Sequence, residues 1–335
     1  MKARIRNVRL SHVGRRRWGG RPRPQPAPWP AFRAGQPFDA STEERVQGDP
    51  RRPGGLPHEL RSIPVLGRVC GLGRFRLATV LLALCTLASA AETAAERGKR
   101  VVDEALRALG GDAFLHMQDR VESGRGYGFY REQLSGLAVV KIYTRYLAPV
   151  PGQIAVRERD AQGKKEDSVV LFTENGAWQI TWRGAQPLTD LRYDNYKDGT
   201  LRNIFYILRQ RLDEPGLAFY SRGSDMYENR PVEMVDITDA ANRTVTVYFD
   251  QLTKLPTRQA FKRRNAEYKD FDTEVTVFSK YRDVGGGVQW PYATLRERNG
   301  EKILEIYSDS VEINHGLKDD LFALPGNLKI LPQAK

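Results

Sequence analysis

From Gly124 onward, apolar and polar residues alternate in short runs separated by Gly, Pro, Asn or Asp. A period of two is the mark of strands that bury one face, and the β-branched and aromatic content of these runs agrees with it. The pattern predicts strands over 127–133, 137–146, 153–158, 168–173 and 177–182. It predicts more over 217–221, 232–237, 244–249, 258–262, 273–281, 288–296 and 302–308. Asn175-Gly176 and Asn299-Gly300 read as two-residue hairpin turns, because both residue types tolerate positive φ.

Three stretches carry the helical period instead. Val102, Ala105, Leu106 and Leu109 recur at i, i+3, i+4 and i+7, and Gly110-Gly111 supplies a stop. A short second helix is expected after Asp112, burying Ala113, Phe114, Leu115 and Met117. Within an insertion over 188–214, Leu201, Ile204, Phe205, Leu208 and Leu212 form one stripe that must lie on something apolar, and Pro215-Gly216 ends it. About a dozen strands with few helices predict a mainly β, α+β fold: an antiparallel, incompletely closed β-barrel covered by helices, as one domain over 91–335.

The first 90 residues change the picture of charge. The formal net charge is +12, but 17 of the 53 basic and 5 of the 41 acidic residues precede residue 91, which leaves 36 of each in the foldable part. A folded nucleic-acid-binding domain keeps a basic excess on one face, so no nucleic-acid partner is expected. The short cluster Lys262-Arg263-Arg264 reads as a solvated turn. Residues 1–75 are rich in Arg, Pro and Gly without an apolar period, and read as a disordered leader or as sequence upstream of the true start. Over 76–90, a basic flank, the apolar run from Leu77 to Leu84 and the small residues Ala88-Ser89-Ala90 match a secretory signal peptide cleaved after Ala90. Export to the periplasm is the expectation. Cys70 and Cys85 both precede that cleavage, and Leu84 is too large for the position before a lipidated cysteine.

No motif assigns a catalytic residue, a metal or a cofactor. His116 and His315 stand far apart in the sequence and lack the spacing of a zinc protease. Gly223-Ser224 lacks the G-x-S-x-G spacing of a nucleophile elbow, and Gly285-Gly286-Gly287 has no Lys-Ser/Thr after it and reads as a turn between strands. The pairs Asp319-Asp320, Glu166-Asp167 and Asp213-Glu214 sit in charged or turn-rich runs where solvation is the default.

Several features in order resemble the periplasmic outer-membrane lipoprotein carrier superfamily (LolA/LolB-like). They are the signal peptide, the opening helix ending Ala108-Leu109-Gly110-Gly111-Asp112-Ala113, the meander with Asn175-Gly176-Ala177-Trp178, the helical insertion, and Lys254-Leu255-Pro256. The run from Tyr281 to Pro291 and the closing Val311-Glu312-Ile313-Asn314 and Leu321-Phe322-Ala323-Leu324-Pro325 complete the series, which spans most of 95–325. The resemblance implies a curved, open barrel with helices as a lid over an apolar cavity, holding a lipid or lipid-modified protein, with transient membrane contact and an envelope protein as a further partner. No chemistry is required of such a protein, since an acyl chain gains about 0.8 kcal/mol per buried CH₂. The candidate ligand-binding residues are Leu201, Ile204, Phe205 and Leu208 on the lid, with Trp178 and Trp182 on the sheet beneath. An apolar stripe of this kind fits a closed core equally well. The alternatives are an extracytoplasmic hydrolase with a dispersed carboxylate site and a protein-binding envelope module.

Overall fold

A computed structural model describes residues 92–265, 268 and 270–333. The leader over 1–75, the signal peptide, its cleavage site and both cysteines lie outside the described residues.

Helix α1 (Ala94–Ala108) begins at Thr93, whose side chain accepts from the Glu96 amide while Glu96 reaches back to the Thr93 amide. This reciprocal cap satisfies two backbone donors at the helix start. Its inward residues Val101, Val102 and Ala105, with Leu109 beyond its end, are buried. Short helix α2 (Asp112–Leu115) follows the Gly110-Gly111 stop and buries Phe114.

Among the described residues, thirteen strands make one sheet. They are β1 (Asp119–Tyr130), β2 (Gln133–Tyr146), β3 (Val156–Gln162), β4 (Ser168–Thr173), β5 (Gly176–Thr181) and β6 (Gly184–Pro187). After the insertion come β7 (Ala218–Tyr227), β8 (Arg230–Thr238), β9 (Thr244–Asp250), β10 (Pro256–Arg264), β11 (Phe271–Asp283), β12 (Gln289–Arg298) and β13 (Glu301–Ile313). The order β6-β5-β4-β3-β2-β1-β13-β12-β11-β10-β9-β8-β7 is two antiparallel meanders joined where β1 pairs with β13. The sheet does not close, which is the open, mainly β architecture expected of the sequence.

Asn299-Gly300 forms its hairpin as expected, with both residues at positive φ. The turn near Asn175 centres one residue earlier, on Glu174-Asn175, because Thr173 pairs with Gly176. The strand expected over 127–133 runs through a real turn: Arg131 and Glu132 take positive φ and β1 lies mostly upstream, over residues whose charges and glycines hid it. Gly285-Gly286-Gly287 is a turn between β11 and β12, all three at positive φ.

Two chemistries hold the faces. On the outer face, Val121, Tyr143, Ala161, Val169 and Leu171 pack with Leu317, Leu321, Phe322 and Leu324 of the tail. The Asp119 carboxylate fixes that tail by accepting from the amides of His315, Gly316 and Leu317 at 2.6–2.9 Å. On the inner face of β8–β12, the main core joins Val235, Ile237, Val247, Phe249, Phe278 and Trp290 to α1 and to the insertion. Helix α1 lies so close to β7 that a Cβ at Gly98 would stand 2.9 Å from the Ser221 amide nitrogen, so glycine is required there.

Candidate functional site

The insertion is two devices, divided at Asn203. Helix α3 (Asp190–Leu201) ends, and the extended Asn203 starts helix α4 (Ile204–Tyr206) by accepting from the Phe205 and Tyr206 amides. A π-helical turn over Ile207–Arg211 continues α4. The stripe read as one helix is therefore broken by a cap between Leu201 and Ile204, since Asn side chains compete for backbone amides.

Of the six candidate residues, Ile204, Phe205 and Leu208 come together in the main core, at 0–5 % exposure, where Phe205 meets Phe278 edge-on at 4.9 Å and Trp290 at 4.8 Å. Leu201 packs nearby with Ile154, Val156 and Tyr206. Trp178 is not beneath them: its face is that of Leu171 and Ala161, opposite to the face that meets the insertion, and Trp182 is 86 % exposed. An odd step along β5 decides this, because Ala177, not Trp178, points toward α3. The neighbours beneath Phe205 are the rings of Phe278 and Trp290.

Polar bonds lock α4 and its π turn to every neighbour. The Ile204 amide donates to Gln259 Oε1 at 2.9 Å, Gln210 Nε2 donates to the Leu147 and Ala155 carbonyls at 2.9 Å, and Arg209 Nε donates to the Met117 carbonyl at 3.0 Å. Buried Arg211 pairs with Glu214 at 2.6 Å and with Asp239 at 2.8 Å, and also donates to the Leu201 carbonyl. Hydrogen bonds from Arg211 and Arg243 hold the Asp239 carboxyl down to about 2, against the burial that would raise it.

Helix α3 instead crosses the open side of the curled sheet. The Tyr193 hydroxyl donates to the Thr173 carbonyl at 2.6 Å and Tyr196 stacks on Phe172 of β4 at 3.7 Å, while Asp198 pairs with Arg263 of β10 at 3.1 Å. Arg263 is thus drawn inward from the Lys262-Arg263-Arg264 cluster, whose other two members are exposed as expected. Along its junction with β8–β11 runs an open groove of about 780 Å³ lined in part by Asp194, Arg202, Asp236, Thr246, Phe261 and Lys262.

Beneath α3 the inner face carries charge. Register sets Arg120 of β1 opposite Thr144, and Thr144 opposite Glu158 of β3; one pleat further, Glu122, Ile142 and Asp160 are aligned. Arg120 is 8 % exposed, pairs with Glu122, donates to Thr144 Oγ1 at 2.9 Å and lies 4.3 Å from the Trp290 ring. Glu158 and Asp160, two apart on one face, have no cation within salt-bridge distance among the described residues. Burial raises both carboxyl pKa values, with Arg120 opposing it at Glu158 and the Glu158 charge adding to it at Asp160. Like charges held this close disfavour ionising both at once. Burial and the same two carboxylates push the Tyr196 phenol well up.

Arg296 of β12 lies on the same face of the sheet as this pair. Flat, β3 and β12 would stand about 19 Å apart across four strand spacings. Yet Arg120 of β1 lies 4.3 Å from the Trp290 ring of β12, and α3 reaches both Phe172 of β4 and Arg263 of β10, so the sheet has curled. Arg296 is exposed and stands in register with Leu304 of β13. The inner face between Arg296 and the pair is the concave side of the curled sheet, a recess. Its apolar walls are Val140 and Ile142 of β2 and Leu304 and Ile306 of β13, all half-buried, with Gly124 and Gly126 of β1 between them.

Sequence reasoning missed this cluster. The available signal was Arg157-Glu158-Arg159-Asp160: at period two, both acids fall on one face and both arginines on the other. Arg157 and Arg159 indeed pair with Glu174 and Glu166. The carboxylate pairs singled out earlier are structural: Glu166, Glu214 and Asp319 each sit on an arginine. His116 hydrogen-bonds with the Asp112 carbonyl and His315 lies 3.2 Å from Glu312, each exposed; no group of three metal-ligating side chains occurs among the described residues.

No family model matches the chain, and no curated protein matches it. Solved structures similar to it include an outer membrane lipoprotein-sorting protein domain from Vibrio parahaemolyticus, at 10 % identity and a TM-score of 0.47, covering 68 % of this chain and 97 % of that one. A DUF1329 family protein from Desulfovibrio piger has 13 % identity and a TM-score of 0.47 over the same shares. A LolA superfamily protein from Nitrosomonas europaea has 9 % identity and a TM-score of 0.42, again over 68 % and 97 %.

Proposed function

We propose that this protein is an extracytoplasmic carrier or sensor that holds an amphiphile, a lipid or the lipid of a modified protein, in the recess beneath α3. One observation carries the reading: half-buried apolar side chains and unpaired charged ones share a solvent-reached inner face. Ile142 is the register neighbour of Asp160, and Leu304 of Arg296. An apolar wall that keeps water contact gains roughly 25 cal/mol per Å² when a ligand covers it. Ile204, Phe205 and Leu208 then act as the fixed end of the site and α3 as its cover. Export, transient membrane contact and an envelope protein partner belong to the same proposal, motivated by the signal-peptide pattern.

The test is to purify the full chain from bacteria, extract it with organic solvent for lipid mass spectrometry, and titrate it with a fluorescent fatty acid. Co-purified amphiphile, and binding lost in Ile142→Trp with the fold intact, are expected. Absence of both lipid and probe binding would refute the carrier reading.

The Glu158–Asp160 pair favours a second reading, since two carboxyl groups of unequal proton affinity are what acid–base hydrolysis requires. Turnover of ester or glycoside substrates that Glu158→Gln abolishes would establish it. Binding without turnover sustains the carrier.

A further inference from the structure

We infer that the groove beside α3 is a docking site for an extended acidic peptide, which adds as a short strand to the free edge of β10 over 261–264. This deepens the carrier reading and rests on it for the existence of an envelope protein partner. The strand ladder shows the edge. β10 pairs with β11 as far as Arg264↔Phe271, but with β9 only as far as Ala260↔Thr246. Past that point its β9 side has no strand partner among the described residues. Ala260 and the four residues after it all line the groove, although side chains along a strand alternate between faces. Only an edge borders both faces, so the groove opens along the backbone of β10. The free stretch spans about 13 Å at the usual strand rise, room for a short extended peptide.

Charge along that edge is unbalanced. Five basic and three acidic side chains line the groove, and each acid is already engaged. Asp198 pairs with Arg202 and with Arg263, Asp194 pairs with Lys197 at 2.7 Å, and Asp236 accepts from Thr246 Oγ1 at 2.6 Å. Lys262 and Arg264 are exposed and have no ion-pair partner among the described residues. They stand two apart on one face, Lys262 opposite Thr273 and Arg264 opposite Phe271, while Arg263 between them turns to α3.

These features specify the occupant. An added strand brings amides and carbonyls to the free edge, and two acidic side chains two positions apart to Lys262 and Arg264. The residue between those acids falls on the face of Phe261, a half-buried ring whose centre lies 5.1 Å from the Arg202 guanidinium and 5.4 Å from that of Arg263. An apolar residue suits that place, because Asp198 already matches both arginines. A bilayer or a nucleic acid brings negative charge but no row of backbone donors and acceptors at strand spacing. Charged side chains also guard strand edges against aggregation, so recognition has to be separated from guarding.

The experiment measures fluorescence anisotropy of labelled, threonine-rich heptapeptides titrated with the full chain. A peptide with aspartates flanking a central leucine is expected to bind about three- to tenfold tighter than one with the aspartates adjacent, and lysines in place of aspartates should abolish binding. Methylating the amides along one edge of the peptide should abolish binding, and along the other edge leave it intact, as strand addition requires. Lys262→Glu with Arg264→Glu should lose the aspartate peptide and gain the lysine peptide, a reversal that a misfolded variant does not give. Fluorescent fatty-acid binding should survive in that double variant. No peptide binding with fatty-acid binding intact would overturn the inference and leave the carrier standing. Binding indifferent to backbone methylation would overturn it too, as would adsorption to phosphatidylglycerol vesicles, or mere protection from aggregation by the two charges, in place of peptide binding. Peptide binding by a chain that takes up no amphiphile would overturn the carrier reading and not the docking edge.

Discussion

Helix α3 and the α4–π segment are neighbours in sequence, yet they meet the sheet by opposite means. Ile204, Phe205, Ile207 and Leu208 are 0–5 % exposed and sunk in the main core, and the polar groups around them are bonded to four different parts of the chain. Helix α3 buries only Leu201 fully, places Gly199 in its own interior and rests on tyrosines and ion pairs. Glycine there costs roughly 1 kcal/mol of helix stability relative to alanine. The difference teaches where motion belongs. Apolar surface and desolvated bonds fix the closed end of the interior, while a weak helix held by screened polar contacts covers the wet end.

Substitutions can break that contrast. Phe205→Ala removes a ring enclosed by Phe278 and Trp290 and should cost about 3–5 kcal/mol in denaturant unfolding. Leu208→Ala should cost about 2–5 kcal/mol on the same measure. Arg211→Ala strands Glu214 without its cation, leaves Asp239 to Arg243 alone and should cost about 3–5 kcal/mol, whereas Asp198→Asn on α3 should cost under about 1 kcal/mol, because its carboxylate is only partly desolvated.

The two ends should also answer to acid with opposite sign. Asp239 is held at about 2 against an ordinary 3.8, so the stability it confers is complete above 3.8 and is lost as pH falls toward 2. That loss is on the order of 2 kcal/mol and should be absent in Asp239→Asn, read as the slope of unfolding free energy against pH. Asp160 and Glu158 are raised, so their contribution is complete below the ordinary carboxylate range and declines as pH rises through their folded values. Asp160→Asn should therefore be more stable than the parent at neutral pH and show no advantage near pH 3. Smallest is Gly199→Ala, whose Cβ meets only the flexible end of Arg263 at 3.3 Å. It should stabilise α3 by about 0.5–1 kcal/mol and slow exchange of a bound fluorescent amphiphile.

Most of the architecture was legible because period two survives wherever one face is buried: in β9, Val245, Val247 and Phe249 are buried and the residues between them are less so. Turns with Asn-Gly were legible, whereas Arg131-Glu132 and Glu228-Asn229 were not, since neither carries a glycine to mark its positive φ. The α4 stripe was legible as apolar but not as core or lid, because both use the same residues. The charged recess was illegible for a different reason. Glu158 and Arg296 are 138 positions apart, and only the strand register sets them on one face. Trp178 and Trp182 were drawn in by size, and strand parity sends Trp178 to the far face.

Native-state hydrogen exchange of the full chain tests the division of the insertion most directly. Amides over 193–201 are expected to exchange together through an opening several kcal/mol below global unfolding and insensitive to denaturant, while amides over 205–211 exchange only when the whole domain unfolds. Equal protection of the two segments, or earlier opening of 205–211, would contradict the account.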